Sequence, residues 1–365
     1  MGIIRLLLAL SVVVAHSSPL FGQTLWGGEI AVELFFIISG FYMALILNEK
    51  YNTPDKTMIF YKNRFLKLFP IYWTTLLLTI LFLLATYVLF NKGGTIELLF
   101  NNLSNLGFFS FYILFSNIFI LGEDIFMFLG LNGDAIIFTK YFTETTTPLH
   151  KFIIIPQSWT LSLEIMFYII APFIARKSSK LLITLFLASV IIKVSLWSNG
   201  YINDPWSYRF ILSELSFFFI GMIMYRVYKL GFYFKIINNK SLFNVGFFIF
   251  LLSGYVYSDM KNVLTFNNID SLKYLIYCLF ILFLPLLFEH TKNNKIDRYI
   301  GELSYPVYIV HIFVLYFVNK LDVGIYTSLV AIIGSILLSI TLNKYIQRNI
   351  EKIRKNNIKK VQNDK

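Results

Sequence analysis

Charged side chains are scarce in this sequence. Asp, Glu, Lys and Arg make up 14% of its 365 residues, whereas hydrophobic residues make up 57%. A soluble globular protein carries roughly 25% charged residues. With so few charges, a chain of this length cannot cover a water-exposed surface, and the composition therefore indicates a membrane protein.

Cysteine is almost absent as well. The single residue, Cys278, lies inside an apolar run. A disulfide framework needs paired cysteines, and a thiolate metal site needs several of them. We expect neither feature here, and we expect no bound metal.

The sequence is rich in long apolar runs. Most are close to the roughly 20 residues that a helix needs to cross a bilayer. Eleven runs stand out, near 3–21, 27–48, 69–90, 106–121, 158–175, 181–197, 210–225, 242–258, 272–288, 303–318 and 325–343. This pattern predicts an all-α polytopic integral membrane protein.

The basic residues indicate the orientation. The net charge of +12 would suggest a nucleic-acid partner in a soluble protein, but these residues lie between apolar runs, so we expect no such partner. Lys and Arg concentrate in cytoplasmic loops. If run 106–121 does not cross, 24 of the 32 Lys and Arg fall on one face. The sequence thus predicts about ten transmembrane helices plus one short re-entrant or interfacial segment, in an inner or plasma membrane with both termini cytoplasmic.

The first run has a second interpretation. Arg5, the apolar run Leu6–Ala15 and the following His16-Ser17 resemble a cleavable signal peptide. Apolar residues continue past the cleavage position, which favours a first transmembrane helix.

We expect two domains of very different size. Residues 1–345 form the transmembrane domain, and residues 346–365 form a basic cytoplasmic tail that lies on anionic membrane lipid. The longest loop, 122–157, is expected outside as irregular structure that caps an outward-facing site.

Ionisable residues inside the apolar runs are few. A charge in the bilayer costs a few kcal/mol, so such residues are functional candidates. Together with Arg5 at the end of a run, they are His16, Glu33, Glu164, Lys193, Glu214 and His311. For Lys193 we expect a structural counter-ion, and for Glu214 a pair with Arg209.

Arg5 and His16 lie on one helical face. They are eleven residues apart, which is close to three full turns and about 16 Å along a helix axis. The pair is either a snorkelling Arg with an unrelated packed His, or a cytosolic cationic anchor with a titratable imidazole deeper in the membrane.

Three further residues are candidates for the same site. Glu33 lies in the outer half of the second run, where a pair with His16 could keep it ionised and fix the imidazole tautomer. Glu164 lies near the outer end of its run. For His311, a structural and a catalytic role both remain open.

A basic segment precedes the third run. Lys62, Arg64 and Lys67 lie just before Pro70. Loop charge bias explains such a cluster, and a phosphate-rich cytosolic ligand explains it equally well.

Five sequence elements follow one another along the chain. They are Arg5 with His16; Glu33 through Gly40; Arg64 through Pro70; Trp159 through Glu164 with Tyr168 and Pro172; and Ser304, Tyr305, Tyr308 and His311. Together they resemble the membrane-bound acyltransferase 3 family, from Arg5 to about Tyr345. Lys67 stands where a second Arg is common in that family, and Lys cannot make a bidentate phosphate contact. Thr160 replaces the usual Ser.

The resemblance implies acyl transfer, usually of acetyl from acetyl-CoA, to a hydroxyl of a cell-envelope polysaccharide or lipid-linked sugar. The protein would act alone or with separate glycan-synthesis partner proteins. Arg5, Arg64 and Lys67 are then expected to hold the phosphates of a cytosolic acyl-CoA donor.

We hypothesise that His16 is the central catalytic residue. It would act as general base on the acceptor hydroxyl or as acyl-accepting nucleophile. Glu33 or Glu164 would orient the imidazole, as in a catalytic dyad. Further candidates are Ser304, Tyr305 and His311.

Functions of other classes fit part of the pattern. Intramembrane His, Glu and Lys also suit a proton-coupled transporter or exporter of a glycan or small solute. A structural scaffold is a third alternative, and it would tolerate substitution of His16 and Glu33. Release of free CoA from acetyl-CoA separates an acyltransferase from a transporter.

Overall fold

The computed structural model describes residues 1–102, 106–133, 135–230, 236, 238–260, 265–266 and 269–363. Within these residues the chain forms thirteen α-helices. Their bounds are α1 Gly2–Ala15, α2 Gly27–Glu49, α3 Thr57–Phe90, α4 Thr95–Asn102, α5 Phe109–Phe119, α6 Trp159–Ile174, α7 Ser179–Ser198, α8 Ile211–Lys229, α9 Lys240–Met260, α10 Ser271–Thr291, α11 Lys295–Val318, α12 Thr327–Leu342 and α13 Arg348–Asn363.

The helices confirm an all-α polytopic membrane protein. Nine helical segments of the described chain are long and apolar enough to cross a bilayer, and α1 is a shorter apolar helix. The loop charges predict ten spans, and the tenth would be α1, which at 14 residues is shorter than a full span. The face that carries Arg5, Arg64 and Arg348 is called the basic face below; that it is cytoplasmic stays a prediction.

α1 lies in the bundle against α11 and α2. At the basic face, the Asp297 carboxylate accepts hydrogen bonds from the backbone N–H groups of Gly2 (2.7 Å) and Ile3 (2.9 Å). A Cβ atom on Gly301 would lie 2.8 Å from the Cα atom of Gly2. The two backbones therefore touch, and this contact fixes α1 on α11.

α1 ends earlier than the apolar run near 3–21 suggests. The helix stops at Ala15, and the Ser17 hydroxyl turns back to donate to the Val13 carbonyl (2.8 Å). Ser side chains compete in this way for backbone groups, and Pro19 has no N–H with which to continue the helix. His16 therefore lies at the helix end, exposed, and not within the span.

α5 does not cross the membrane. Its 11 residues extend about 16 Å, roughly half the thickness of the hydrocarbon core. α4 before it and the 3₁₀ helix Glu123–Phe128 after it both pack on the 3₁₀ helix Leu149–Phe152. The chain thus enters and leaves on the same face, and α5 is re-entrant, in agreement with the predicted non-crossing segment.

The loop 122–157 is more regular than its composition suggests. β1 Leu129–Asn132 lies between β2 Ala135–Phe138 and β3 Thr147–Pro148 in an antiparallel sheet. A second hairpin pairs β4 Thr265–Phe266 with β5 Ile269–Asp270. The expectation of irregular structure is wrong because the short β-branched and aromatic runs find partners within the loop.

A second close crossing in the bundle joins α2 and α8. A Cβ atom on Gly40 would lie 2.0 Å from the Phe218 carbonyl oxygen, and one on Gly221 would lie 2.1 Å from the Ile37 carbonyl oxygen. Small residues allow helix backbones to approach this closely in membranes. The crossing holds the middle of α2 in place.

We predict that Gly40→Ala destabilises the protein, because the methyl group must displace the α8 backbone. The expected loss is about 1 to 3 kcal/mol, seen as a lower midpoint of thermal unfolding in detergent. Gly28→Ala in the same helix is the matched control, since its Cβ would lie 3.5 Å from the Ala15 side chain. Equal midpoints for the two variants would contradict the predicted role of the crossing.

Candidate functional site

A cavity of about 740 Å³ opens into the bundle from the basic face. Its described lining includes four acidic residues, Glu164, Asp297, Glu302 and Glu351, and eight basic residues, Arg5, Arg64, Lys67, Lys292, Arg298, Arg348, Lys352 and Arg354. The structure thus brings the three predicted donor-binding residues onto one cavity wall. Its excess of positive charge suits an anionic ligand.

α3 carries two of these cations. Arg64 and Lys67 are three residues apart and share a helix face, and the Arg64 guanidinium lies 5.8 Å from the centroid of the Tyr168 ring. The expectation of a basic loop ending at Pro70 is wrong, because α3 runs unbroken from Thr57 to Phe90 with that proline inside it. Transmembrane helices tolerate proline where neighbouring groups satisfy the backbone.

Glu164 lies on the cavity wall and not beside His16. Its carboxylate accepts a hydrogen bond from the Ser39 hydroxyl (2.6 Å) and another from the Tyr168 hydroxyl. These contacts tie α6 to α2 at the middle of the bundle. The carboxylate is therefore placed to meet a ligand that enters the cavity.

Ser304 and Tyr305 also line the cavity. The Ser304 hydroxyl donates to the Gly301 carbonyl (2.8 Å), and the Tyr305 hydroxyl donates to the Leu68 carbonyl (2.6 Å). Both groups are engaged with backbone, which positions α11 against α3. In this arrangement they shape the wall.

The two predicted site histidines, His16 and His311, contact each other. His16 Nδ1 lies 3.2 Å from His311 Nε2, and His311 Nδ1 lies 2.6 Å from the Tyr308 carbonyl oxygen. His311 is fully buried, whereas His16 is exposed. The pair thus presents one imidazole on the face opposite the basic face, backed by a second one in the core.

The contacts determine the tautomers of the neutral pair. A carbonyl oxygen only accepts, so His311 Nδ1 carries the proton and its Nε2 has a free lone pair. His16 Nδ1 faces that lone pair and the Val12 carbonyl (3.0 Å), so it must donate. His16 Nε2 is left unprotonated, which is the state that a general base requires.

Glu33 does not orient His16. Its carboxylate is buried beside two ammonium groups, Lys193 at 3.1 Å and Lys273 at 3.6 Å. Lys193 also contacts Glu214 at 3.1 Å. The expected pair with His16 is wrong because α2 directs Glu33 toward α7 and α10 and away from α1. The group Glu33, Lys193, Glu214 and Lys273 is called the buried charge cluster below.

Arg209 pairs with Asp204 and not with Glu214. Its guanidinium makes two contacts to that carboxylate, of 2.5 and 2.8 Å, and lies 4.3 Å from the centroid of the Trp159 ring.

Burial, together with the positive charge of Arg209, lowers the pKa of His150 to about 4. His150 is therefore neutral at physiological pH.

Tyr308 separates the cavity from the histidine pair. Its ring lines the cavity and lies 5.9 Å from the His311 ring. Its hydroxyl is 2.7 Å from the Thr160 hydroxyl and donates to the Gln157 carbonyl (3.1 Å). These three residues, Tyr308, Thr160 and Gln157, are called the Tyr308 layer below.

Several cavity residues were not predicted from the sequence, because the basic tail suggested a lipid-bound segment. In the structure, Arg348, Lys352 and Arg354 line the cavity. The spacing of Arg348 and Lys352 was the available signal, since residues four positions apart share one helix face. Arg298 also lines the cavity.

The fold and the cavity define the class first: this is an all-α polytopic membrane protein with a deep basic cavity. The family follows from the sequence, because a family model described as "Acyltransferase domain" matches residues 1–344. The chain therefore belongs to the acyltransferase 3 family. Among the described residues, no group of three or more His, Cys, Asp or Glu could hold a metal ion.

One curated relative shows a partial match. "Protein 2 in picA locus" from Rhizobium radiobacter is 36% identical over 87 residues, which are 24% of this chain and 46% of that protein. The chain thus spans just under half the length of that relative. No solved structure matches the chain.

We predict that Lys193→Met destabilises the protein by about 3 to 5 kcal/mol, because it leaves the buried Glu214 carboxylate without its ion-pair partner. Thermal unfolding in detergent and abundance in the membrane measure this loss. Adding Glu214→Gln to the same chain should restore most of the stability. A stable Lys193→Met protein that has lost activity would instead place the cluster in catalysis.

Proposed function

We propose that this membrane acyltransferase moves an acyl group, acetyl in the first instance, from cytosolic acyl-CoA to a hydroxyl of an envelope polysaccharide or lipid-linked sugar. One observation carries the proposal. A single cavity leads from eight basic side chains to Tyr308, whose carbonyl oxygen holds the histidine pair. The basic face is then the cytoplasmic one.

The donor fits the cavity in one direction. The CoA nucleotide carries the phosphates, which favour the Arg and Lys side chains at the basic face. The acyl thioester is at the other end of the pantetheine arm and would reach toward Tyr308. Glu164, deep in the cavity, would accept a hydrogen bond from a pantetheine amide N–H.

His16 acts as the general base in this proposal. For the reaction, the Tyr308 side chain must move aside so that the acyl end of the donor reaches the histidine pair. His16 Nε2 then removes the proton from the acceptor hydroxyl while that oxygen attacks the thioester carbonyl carbon. The tetrahedral intermediate collapses with cleavage of the C–S bond, and the sulfur takes the proton back from His16. The products are an O-acyl ester and free CoA.

His311 positions His16 and does not touch the substrate. Its Nε2 accepts from His16 Nδ1, so it holds the imidazole in the tautomer that leaves Nε2 free. An Asp has this role in serine hydrolases. His311 takes the role that Glu33 or Glu164 was expected to have.

We predict that His16→Ala lowers acceptor-dependent CoA release from acetyl-CoA by about 100-fold or more, measured on purified protein with an envelope glycan fraction. His290→Ala is the matched control, because His290 stacks on Phe243 with ring centroids 4.7 Å apart and lies outside the described cavity lining. Full activity of His16→Ala would refute the mechanism. Absence of CoA release from the unmodified protein would favour proton-coupled transport, for which the buried charge cluster is suited.

We predict that His311→Ala lowers kcat by about 10-fold or more, since a second imidazole no longer fixes the tautomer. KM for acetyl-CoA should stay within about twofold, because His311 is outside the donor cavity. The pH profile of kcat should shift as well, since the environment of His16 changes. An unchanged pH profile together with reduced membrane abundance would indicate a merely structural role.

A further inference from the structure

The C-terminal helix α13 forms part of the cavity wall. Its side chains Arg348, Lys352 and Arg354 line the cavity together with Arg64 and Lys67 of α3, and α13 packs on α3. The sequence alone suggested a helix lying on lipid. In the structure its basic side chains instead share a space with the predicted donor-binding residues.

A π-helix gives α13 this orientation. Residues Asn343–Gln347 form a π-helix between α12 and α13, and a π-turn adds a residue to the helical turn. Asn343 and Gln347 are buried and line the cavity. The added residue changes the rotation of everything that follows, so the basic side of α13 faces inward.

Two guanidinium groups at this wall keep a buried N–H donor without an acceptor among the described residues. Arg354 pairs with Glu351 at 2.5 Å and is also attracted by Glu302, but its Nε atom is buried without a hydrogen bond, as is the Nε atom of Arg64. Arg64 and Arg354 also repel each other electrostatically. Buried guanidinium donors without acceptors are costly, and an anion bound between α3 and α13 would satisfy them.

We infer that α13 binds the 3′-phosphate of the acyl-CoA nucleotide, which gives the C-terminal helix a role in donor recognition. The inference rests on the proposed function. A phosphomonoester carries a charge of roughly −1.5 to −2 at neutral pH and offers three acceptor oxygens. The 3′-phosphate therefore suits a cluster of guanidinium and ammonium groups better than either phosphate of the diphosphate does, since each of those carries a single charge.

The position of each phosphate along the cavity follows from where the thioester must lie. The thioester must lie deepest to react, so the diphosphate follows it at Arg5 and Lys67, and the ribose 3′-phosphate stays nearest the opening. Arg348 and Lys352 are exposed at that opening, and Arg354 is partly buried just behind them. The two ends of the nucleotide therefore meet different helices.

The experiment compares acetyl-CoA with its 3′-dephospho analogue. The full-length protein is assayed in nanodiscs of phosphatidylcholine, with and without anionic lipid. We expect KM of the unmodified protein to be about 10-fold or more higher for the dephospho donor, the effect of losing one or more charge-assisted hydrogen bonds. In Arg348→Gln/Lys352→Gln/Arg354→Gln, KM should be the same for both donors.

Two control variants define the site. Lys67→Gln should raise KM for both donors in parallel and keep their ratio, because it lies at the diphosphate. Lys180→Gln, an exposed cation outside the described cavity lining, should leave both values unchanged. The single variant Lys352→Gln, at an exposed position, serves as the test if the triple variant does not fold, and it should lower the ratio in part.

The outcomes separate this inference from the proposed function. Equal KM values for both donors in the unmodified protein, or an unchanged ratio in the triple and single variants, would overturn the inference and leave acyl transfer intact. An effect of the substitutions that depends on anionic lipid would identify a lipid headgroup as the bound phosphate and would also overturn it. Failure to use either donor would overturn the proposed function itself.

Displacement of bound acetyl-CoA by adenosine 3′,5′-bisphosphate provides a readout without turnover.

Discussion

The contact between α1 and α11 is the constraint on which the site depends. The Asp297 carboxylate binds the first N–H groups of α1, an arrangement that the positive end of a helix dipole favours. The close approach of Gly2 and Gly301 leaves no room for sliding. Because the two helices run parallel from this anchor, His16 arrives beside His311 at the other end. The basic cavity and the imidazole pair thus lie at the two opposite ends of the packed helices α1 and α11.

The buried charge cluster has a different relation to the site. Two carboxylates and two ammonium groups join α2, α7, α8 and α10, and Glu33 and Glu214 are completely inaccessible. Burying ions costs solvation energy that their mutual attraction only partly returns. Such a cluster adds little to stability compared with apolar packing, but it specifies which helices pair. It fixes the position of α2, and therefore of Ser39 and the carboxylate that Ser39 holds.

Much of the fold follows from local composition. Apolar length gives the spans, and the distribution of Lys and Arg gives their alternation, so the non-crossing segment at 106–121 was recognisable before any contact was known. The helix periodicity also placed Arg5 in α1, but His16 lies just beyond the last residue of that helix. The partners of each buried group could not be found in this way. Glu33 and His16 lie on neighbouring spans, but which neighbour a carboxylate faces depends on helix rotation, and that is set by long-range contacts such as Gly40 against Phe218. The tail was misjudged for the same reason, since one π-turn changes the face that it presents.

The Tyr308 layer has a consequence for the membrane as a whole. A wide polar cavity that reaches deep into a bilayer leaves only a thin section of protein to resist the passage of ions and protons. In this molecule that section is formed by Tyr308, Thr160 and Gln157, whose hydroxyl and carbonyl groups satisfy one another, while Phe35 packs against the tyrosine ring. These contacts leave the Tyr308 and Thr160 hydroxyls little capacity to bind water, whereas the Gln157 side-chain oxygen is buried without a hydrogen-bond partner. In the proposed function, this layer is the section of protein that would keep a cavity for a large anionic donor from becoming a leak of the proton gradient.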